Sequence, residues 1–140
     1  MLVIAPIGII VHEFGHALGA VFVNADEVTL HIGSGNAFKS IKLLKINVVF
    51  HKYILFGGRA LSTRTVEFTK LERIVITLAG PILNIFVVVV LYVFKQDFTS
   101  FFIELLLLFN GWMALFNLVP FKRNGQMSDG YQIIHILRSK

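Results

Sequence analysis

Cysteine is absent from the 140-residue sequence, which excludes a disulfide framework and any zinc site built from thiolates. Charge is scarce: Asp, Glu, Lys and Arg supply 15% of the residues, where soluble globular chains carry about 25%. Acidic residues are the scarcer sign, 8 against 13 basic ones, for a formal net charge of +5. Stretches of the disordered kind are missing as well, because 56% of the residues are hydrophobic and mean hydropathy is +0.76. No internal repeat, low-complexity segment or linker interrupts the chain, and its length suits a single domain, 1–140. Basic chains can meet nucleic acid, but one this apolar points first to a membrane protein with basic loops.

Three long apolar stretches are what the composition concentrates. Residues 1–23 contain only His12, Glu13 and His16 as strongly polar side chains. Residues 74–94 contain Thr77 and Asn84, and residues 100–120 contain Glu104, Asn110 and Asn117. As helices these runs reach roughly 32 to 35 Å, enough for a hydrocarbon core of about 30 Å. Membrane spans fit such lengths better than the buried helices of a soluble protein do. The first stretch lacks a basic leading region and carries its polar residues inside the apolar part, so it reads as a span and not as a signal peptide. Of the 13 basic residues, 12 fall in the segment 24–73 or after Pro120, leaving Lys95 in the short turn 95–99. With three spans that segment and the tail share one side, which is expected to be cytoplasmic. Anionic headgroups are then the simplest partner of the basic loop, and no nucleic acid is expected.

The loop has its own pattern. Val28, Leu30 and Ile32 alternate with Thr29 and His31, a strand ending at Gly33-Ser34-Gly35. Residues 46–56 are rich in β-branched and aromatic residues and end at Gly57-Gly58, a second strand. A third strand over 39–45 is less clearly patterned. The expectation is three helices with a small sheet at the cytoplasmic face. Its strand edge either receives an extended peptide or merely closes the loop.

The chemistry begins at His12-Glu13-Phe14-Gly15-His16. Residues four apart share a helix face, so both imidazoles can hold one metal ion. Glu13 is rotated by about 100° from His12, beside a metal and not on it, where a carboxylate can take a proton from water. Ionisable groups at the centre of a span cost about 2.5 to 3.5 kcal/mol each on insertion scales, and a shared metal gives all three a reason to be there. The plainer alternative is a polar cluster bonding between helices. Gly15, Ala17, Gly19 and Ala20 permit close helix approach. A catalytic zinc needs a third protein ligand. Asp26, His31, His51, Asp129 and His135 are candidates, with Asp129 favoured because it follows the third span on the side toward which His12 and His16 lie. Asp129 could instead cap a helix whose apolar pattern runs through Tyr131, Ile133, Ile134, Ile136 and Leu137.

These motifs together resemble a known family. The H-E-x-x-H of the first span, Ala79-Gly80-Pro81-Ile82-Leu83-Asn84 in the second, and Phe116-Asn117-Leu118-Val119-Pro120 followed by Ser128-Asp129-Gly130 look like the site-2 proteases, the intramembrane zinc metalloproteases of peptidase family M50. The loop strands resemble that family's β-region beside the active site. The resemblance implies an all-α membrane protein: a three-helix core with a small β-hairpin between helices 1 and 2. It implies Zn²⁺ on His12, His16 and Asp129, with Glu13 catalytic, and Asn117 placed to polarise the scissile carbonyl or position substrate. It further implies a multi-pass protein of a bacterial cell membrane, cleaving a transmembrane or membrane-associated protein or peptide near the cytoplasmic side. Asn84 matches the family pattern, as an interhelical bond or a cleft residue, whereas Asn110 and Trp112 carry no motif and read as packing. The chain departs from the family in a longer turn over 121–128, in Ser128 where Leu is usual, and in Tyr131 where a second Gly is usual. Two readings of other classes compete: a non-catalytic membrane partner or immunity protein that retains the fold, and a channel component using the polar cluster as a pathway.

Overall fold

A computed structural model describes residues 3–94, 100–123 and 125–139. Along the chain run α1 (Ile4–Phe22), β1 (Glu27–Leu43), β2 (Ile46–Thr63), α2 (Lys70–Phe94), α3 (Phe101–Leu118), β3 (Lys122–Arg123), β4 (Gln126–Met127) and α4 (Asp129–Arg138). The three expected spans are thus helices, and α1, α2 and α3 are each long and apolar enough to cross a membrane. The turn expected at 95–99, with Lys95, lies outside the described residues.

The bundle is inverted relative to a water-soluble one. Asn84 and Asn110 are fully buried, while Leu108, Trp112 and Leu115 on the same α3 are more than half exposed, at 65%, 53% and 72%. An exterior this apolar is unstable in water, but it suits lipid, where helix association rests on close packing and on polar contacts inside. The packing is close where small residues meet. A side chain at Gly15 would fall on the backbone of Ala79 and Gly80, and one at Gly80 would fall on the His16 ring. Ala17, Ala20, Ala25 and Val28 form the buried apolar cluster where α1 meets the sheet.

The all-α expectation is overturned: the fold is mixed α/β. Between α1 and α2 lie not a small hairpin but two strands of 17 and 18 residues, paired antiparallel along most of their length, with 28–32 running parallel to 46–50. The glycines read as strand ends are bends. Gly33 and Gly57, with φ of +88° and +83°, re-aim the chain within β1 and β2 without ending either. Both strands therefore fold back on themselves. Residues 27–32 pair on one edge with 58–63 (Glu27↔Thr63 to Ile32↔Gly58) and on the other with 46–50 (Val28↔Ile46 to Ile32↔Phe50). Residues 39–43 then pair with 46–50, so the third patterned segment does join the sheet.

The sheet is not confined to the end of the helices. Lys45 Nζ donates to the Ala25 carbonyl just past α1, whereas Gly58 sits against Ile9 and Glu13. The strands run back along α1 from its end at Phe22 to Ile9, roughly 20 Å, the rise of 13 helical residues. Arg64 anchors the far end. Its guanidinium donates to both Glu72 carboxylate oxygens at 2.8 Å and to the Val23 carbonyl at 2.9 Å, and it stacks on Phe68, tying β2, α1 and α2 together.

Gly15→Val should force α1 from α2, as overpacking of a filled contact costs about 1–3 kcal/mol. A lowered thermal midpoint of the detergent-solubilised chain is the expected reading, and an unchanged midpoint would contradict this contact.

Candidate metal centre

Helix α1 presents His12 and His16 one turn apart, their rings edge to face with centroids 4.7 Å apart and Nε2 atoms 3.1 Å apart. Asp129, the first residue of α4, meets them: Oδ2 lies 3.0 Å from His12 Nε2 and Oδ1 lies 3.5 Å from His16 Nε2. One ligand atom from each of the three falls within 4.8 Å of the others, so the group can bind a metal ion. His12 and Asp129 are buried, at 5% and 4% exposure.

The far side of each ring decides what faces the centre. His16 Nδ1 lies 2.9 Å from the Ile76 carbonyl, which can only accept, so Nδ1 carries the hydrogen. His12 Nδ1 lies 2.7 Å from Asn84 Oδ1 and donates likewise. In the neutral rings both Nε2 atoms then turn bare lone pairs toward each other and toward a carboxylate. No N–H is aimed at Asp129 Oδ2, which is buried without a hydrogen-bond donor although His12 Nε2 is close by. Lone pairs and a carboxylate converging at these distances repel one another, and a cation among them turns repulsion into attraction. The donor set of two imidazole nitrogens and one carboxylate oxygen fits a first-row divalent ion.

Asp129 is free for this because its neighbour does the capping. Ser128 is the N-cap of α4: its Oγ accepts from Tyr131 N–H at 3.2 Å and Phe121 N–H at 3.0 Å and donates to the Val119 carbonyl at 2.8 Å. The longer turn over 121–128 is a short hairpin, with β3 and β4 paired, and Ser128 staples both its ends. At Gly130 a side chain would fall on the Leu118 carbonyl oxygen. Glycine alone lets α4 start against the end of α3, so the departures around Asp129 leave its position intact.

The other candidate ligands are engaged elsewhere. Asp26 Oδ2 accepts from the Thr65 N–H and hydroxyl at 2.7 and 2.8 Å, and that N–H foremost holds its carboxyl below the usual range. His31 and His51 pair with each other, Nδ1 to Nε2 at 2.9 Å, and His51 Nδ1 donates to the Gly35 carbonyl. His135 is exposed on α4 and lines a separate cavity.

A cleft of about 550 Å³ opens on the three ligands, lined also by Glu13, Asn117, Gly58 and Ala60. Glu13 Oε2 accepts from the Ala60 N–H at 2.9 Å. Asn117 reaches the cleft, but its Nδ2 donates back to the Met113 carbonyl at 2.9 Å, so one amide hydrogen is taken by its own helix. Two contributors were not legible as such in the sequence. Ala60 acts through its backbone, which leaves no signature. Asn110, expected to pack, is hydrogen-bonded to Asn84 at 2.7 Å. Its only sequence signal is that it is a lone polar residue inside an apolar run.

No family model matches the chain, and a search of curated proteins gives no match.

Elemental analysis of the purified chain should find about one divalent ion per protein, the stoichiometry of three ligands at one centre. Asp26→Ala and His135→Ala should keep it, and His12→Ala and Asp129→Ala should lose it. Equal metal in Asp129→Ala and wild type would remove Asp129 from the centre.

Proposed function

We propose that the chain is an intramembrane zinc endopeptidase of the site-2 protease type, cleaving a membrane-embedded or membrane-associated peptide at the metal centre. The observation that carries this reading is the convergence of His12 Nε2, His16 Nε2 and Asp129 in a buried polar pocket, inside helices whose outer surfaces are apolar. Three protein ligands of this N, N, O kind are the catalytic zinc pattern, whereas structural zinc sites are closed by a fourth. The open cleft beside the three supplies the access that a catalytic site needs.

His12, His16 and Asp129 would hold the ion. When bound, zinc supplies Lewis acidity, polarising a carbonyl and bringing the pKa of water toward about 7. The remaining work falls to residues of the cleft. Glu13 accepts the proton of the attacking water on a carboxylate oxygen and returns it to the departing amine. The Ala60 N–H fixes that carboxylate from the β2 side. Asn117, which also lines the cleft, donates to the Met113 carbonyl and keeps only a long 3.9 Å contact to the Met113 sulfur for its other amide hydrogen, which the scissile carbonyl or the substrate backbone would replace.

Peptide bonds within a membrane helix are internally hydrogen-bonded, so a substrate must unwind before hydrolysis. The edge of β2 offers it somewhere to go. Ala60 pairs with Leu30 on β1 while its N–H points away to Glu13. By strand alternation Gly58 and Ser62 present backbone groups on that same outer edge, alongside the cleft. An extended substrate segment added there lies next to the metal ligands. The basic segment 24–73 and the basic tail support an orientation in which this side meets the cytoplasmic face of a bacterial cell membrane, against anionic headgroups.

Glu13→Gln tests the assignment. Cleavage of a membrane-anchored reporter should fall about 10²- to 10⁴-fold, the contribution of a general base, with metal content unchanged. Full biological function in Glu13→Gln would instead favour a non-catalytic partner that retains the fold. Ser62→Pro removes an edge donor and should reduce cleavage with the metal retained; unchanged cleavage would sink strand addition but leave the hydrolase reading standing.

A further inference from the structure

Two buried polar groups outside the metal centre are not isolated from it. Asn84 on α2 and Asn110 on α3 are both fully buried and join His12 in one hydrogen-bonded line across three helices. Its direction can be read from the far end. The Leu106 carbonyl can only accept, and Asn110 Nδ2 donates to it at 2.8 Å. Asn110 therefore turns Oδ1 outward, and Asn84 Nδ2 donates to that oxygen at 2.7 Å and to the Gly8 carbonyl at 3.3 Å. Asn84 in turn has only Oδ1 to offer His12, whose Nδ1 lies 2.7 Å away and must be the protonated nitrogen.

We infer that Asn84 and Asn110 are positioning residues for the metal. By fixing every amide orientation from the Leu106 carbonyl inward, they hold His12 in the tautomer that leaves Nε2 bare for an ion. The inference rests on the metal-binding reading above. Two backbone carbonyls, on α1 and α3, set the direction, so the line cannot reverse without leaving a carbonyl and an amide facing their like in a buried site. If Asn84 turned over, its Nδ2 would face His12 Nδ1 and the ring hydrogen would move to Nε2, pointing at Asp129. His12 would then be a hydrogen-bond donor and no longer a ligand. The role of Asn110 is thus indirect: it touches neither the ion nor substrate, and acts through Asn84.

Zinc affinity, measured by competition with a chromophoric chelator on the full chain in detergent, tests this together with the ring-nitrogen NMR of His12 in metal-free protein. Wild type should show hydrogen on Nδ1. Asn110→Leu and Asn84→Leu should bind zinc about 10- to 100-fold more weakly, the usual cost of removing a partner behind a ligating histidine. Asn84→Asp keeps an acceptor for His12 but loses the donors to Asn110 and Gly8, so it should recover only part of the affinity that Asn84→Leu loses, a partial rescue that a merely structural role would not produce. Wild type that binds no zinc would overturn the metal reading and this one with it. Wild type that binds, alongside an Asn110→Leu protein that binds equally well, would overturn this inference alone. Hydrogen on Nε2 of metal-free wild-type His12 would overturn it however the variants fold.

Discussion

The structure depends on one constraint: polar groups enclosed by apolar helices must find partners in one another. Where the helices close on one another away from the cleft, an unpartnered buried group costs several kcal/mol by the usual accounting of about 2–7 kcal/mol for transfer to an apolar medium. Each buried polar side chain of the bundle is accordingly bonded to another or to a carbonyl, from Leu106 through Asn110 and Asn84 to His12, and from Ile76 to His16. The satisfaction stops at one place. Where these lines end, two nitrogen lone pairs and Asp129 face each other with no donor among them. Among the described residues, a network of buried side chains complete but for one electron-rich point fits a cation site, and this is why the metal reading follows from the packing and not only from the spacing of His12 and His16.

Close approach of the backbones makes that convergence possible. His16 reaches the Ile76 carbonyl because Gly80 leaves room for its ring, and Gly15 lets α1 lie on the Ala79–Gly80 backbone. Pro81 follows Gly80 within α2 and lacks the N–H that would bond the Thr77 carbonyl, loosening the helix ladder in the turn that faces the site. Asp129 reaches the same point from the other end of the chain because Gly130 allows α4 to begin on the Leu118 carbonyl and Ser128 caps the helix in its stead. The small residues contribute little burial of their own. They set the distances at which the polar groups act.

Much of this was legible in the sequence, and the rest was not for identifiable reasons. The three apolar runs located α1, α2 and α3 to within a few residues, since run length against bilayer thickness is a strong signal. His12 and His16 were legible from their four-residue spacing, a local property. Asp129 is 113 residues beyond His16 (129 minus 16) and could be favoured only from the side of the bundle on which it emerges. The all-α expectation failed at Gly33 and Gly57: a glycine that stops a strand and one that bends it look alike until φ is known. Asn110 was illegible because its meaning lies in an amide orientation set across three helices, and no periodicity encodes that.

The sheet and the cleft explain each other through the same constraint. A strand edge at the depth of a membrane helix is untenable against lipid, because its backbone groups have no partners there. Irregular or unpaired backbone persists at such depth only where it lines a polar cavity. The strands run back along α1 as far as Ile9, and the outer edge of β2 faces neither β1 nor the apolar exterior but the cleft that holds Glu13 and the three ligands. One of its donors, the Ala60 N–H, is already satisfied by Glu13. A dry cleft would leave the neighbouring edge groups stranded, so the cavity must admit water or an extended chain. Either would enter beside Glu13 and the three candidate ligands, which line the same cleft.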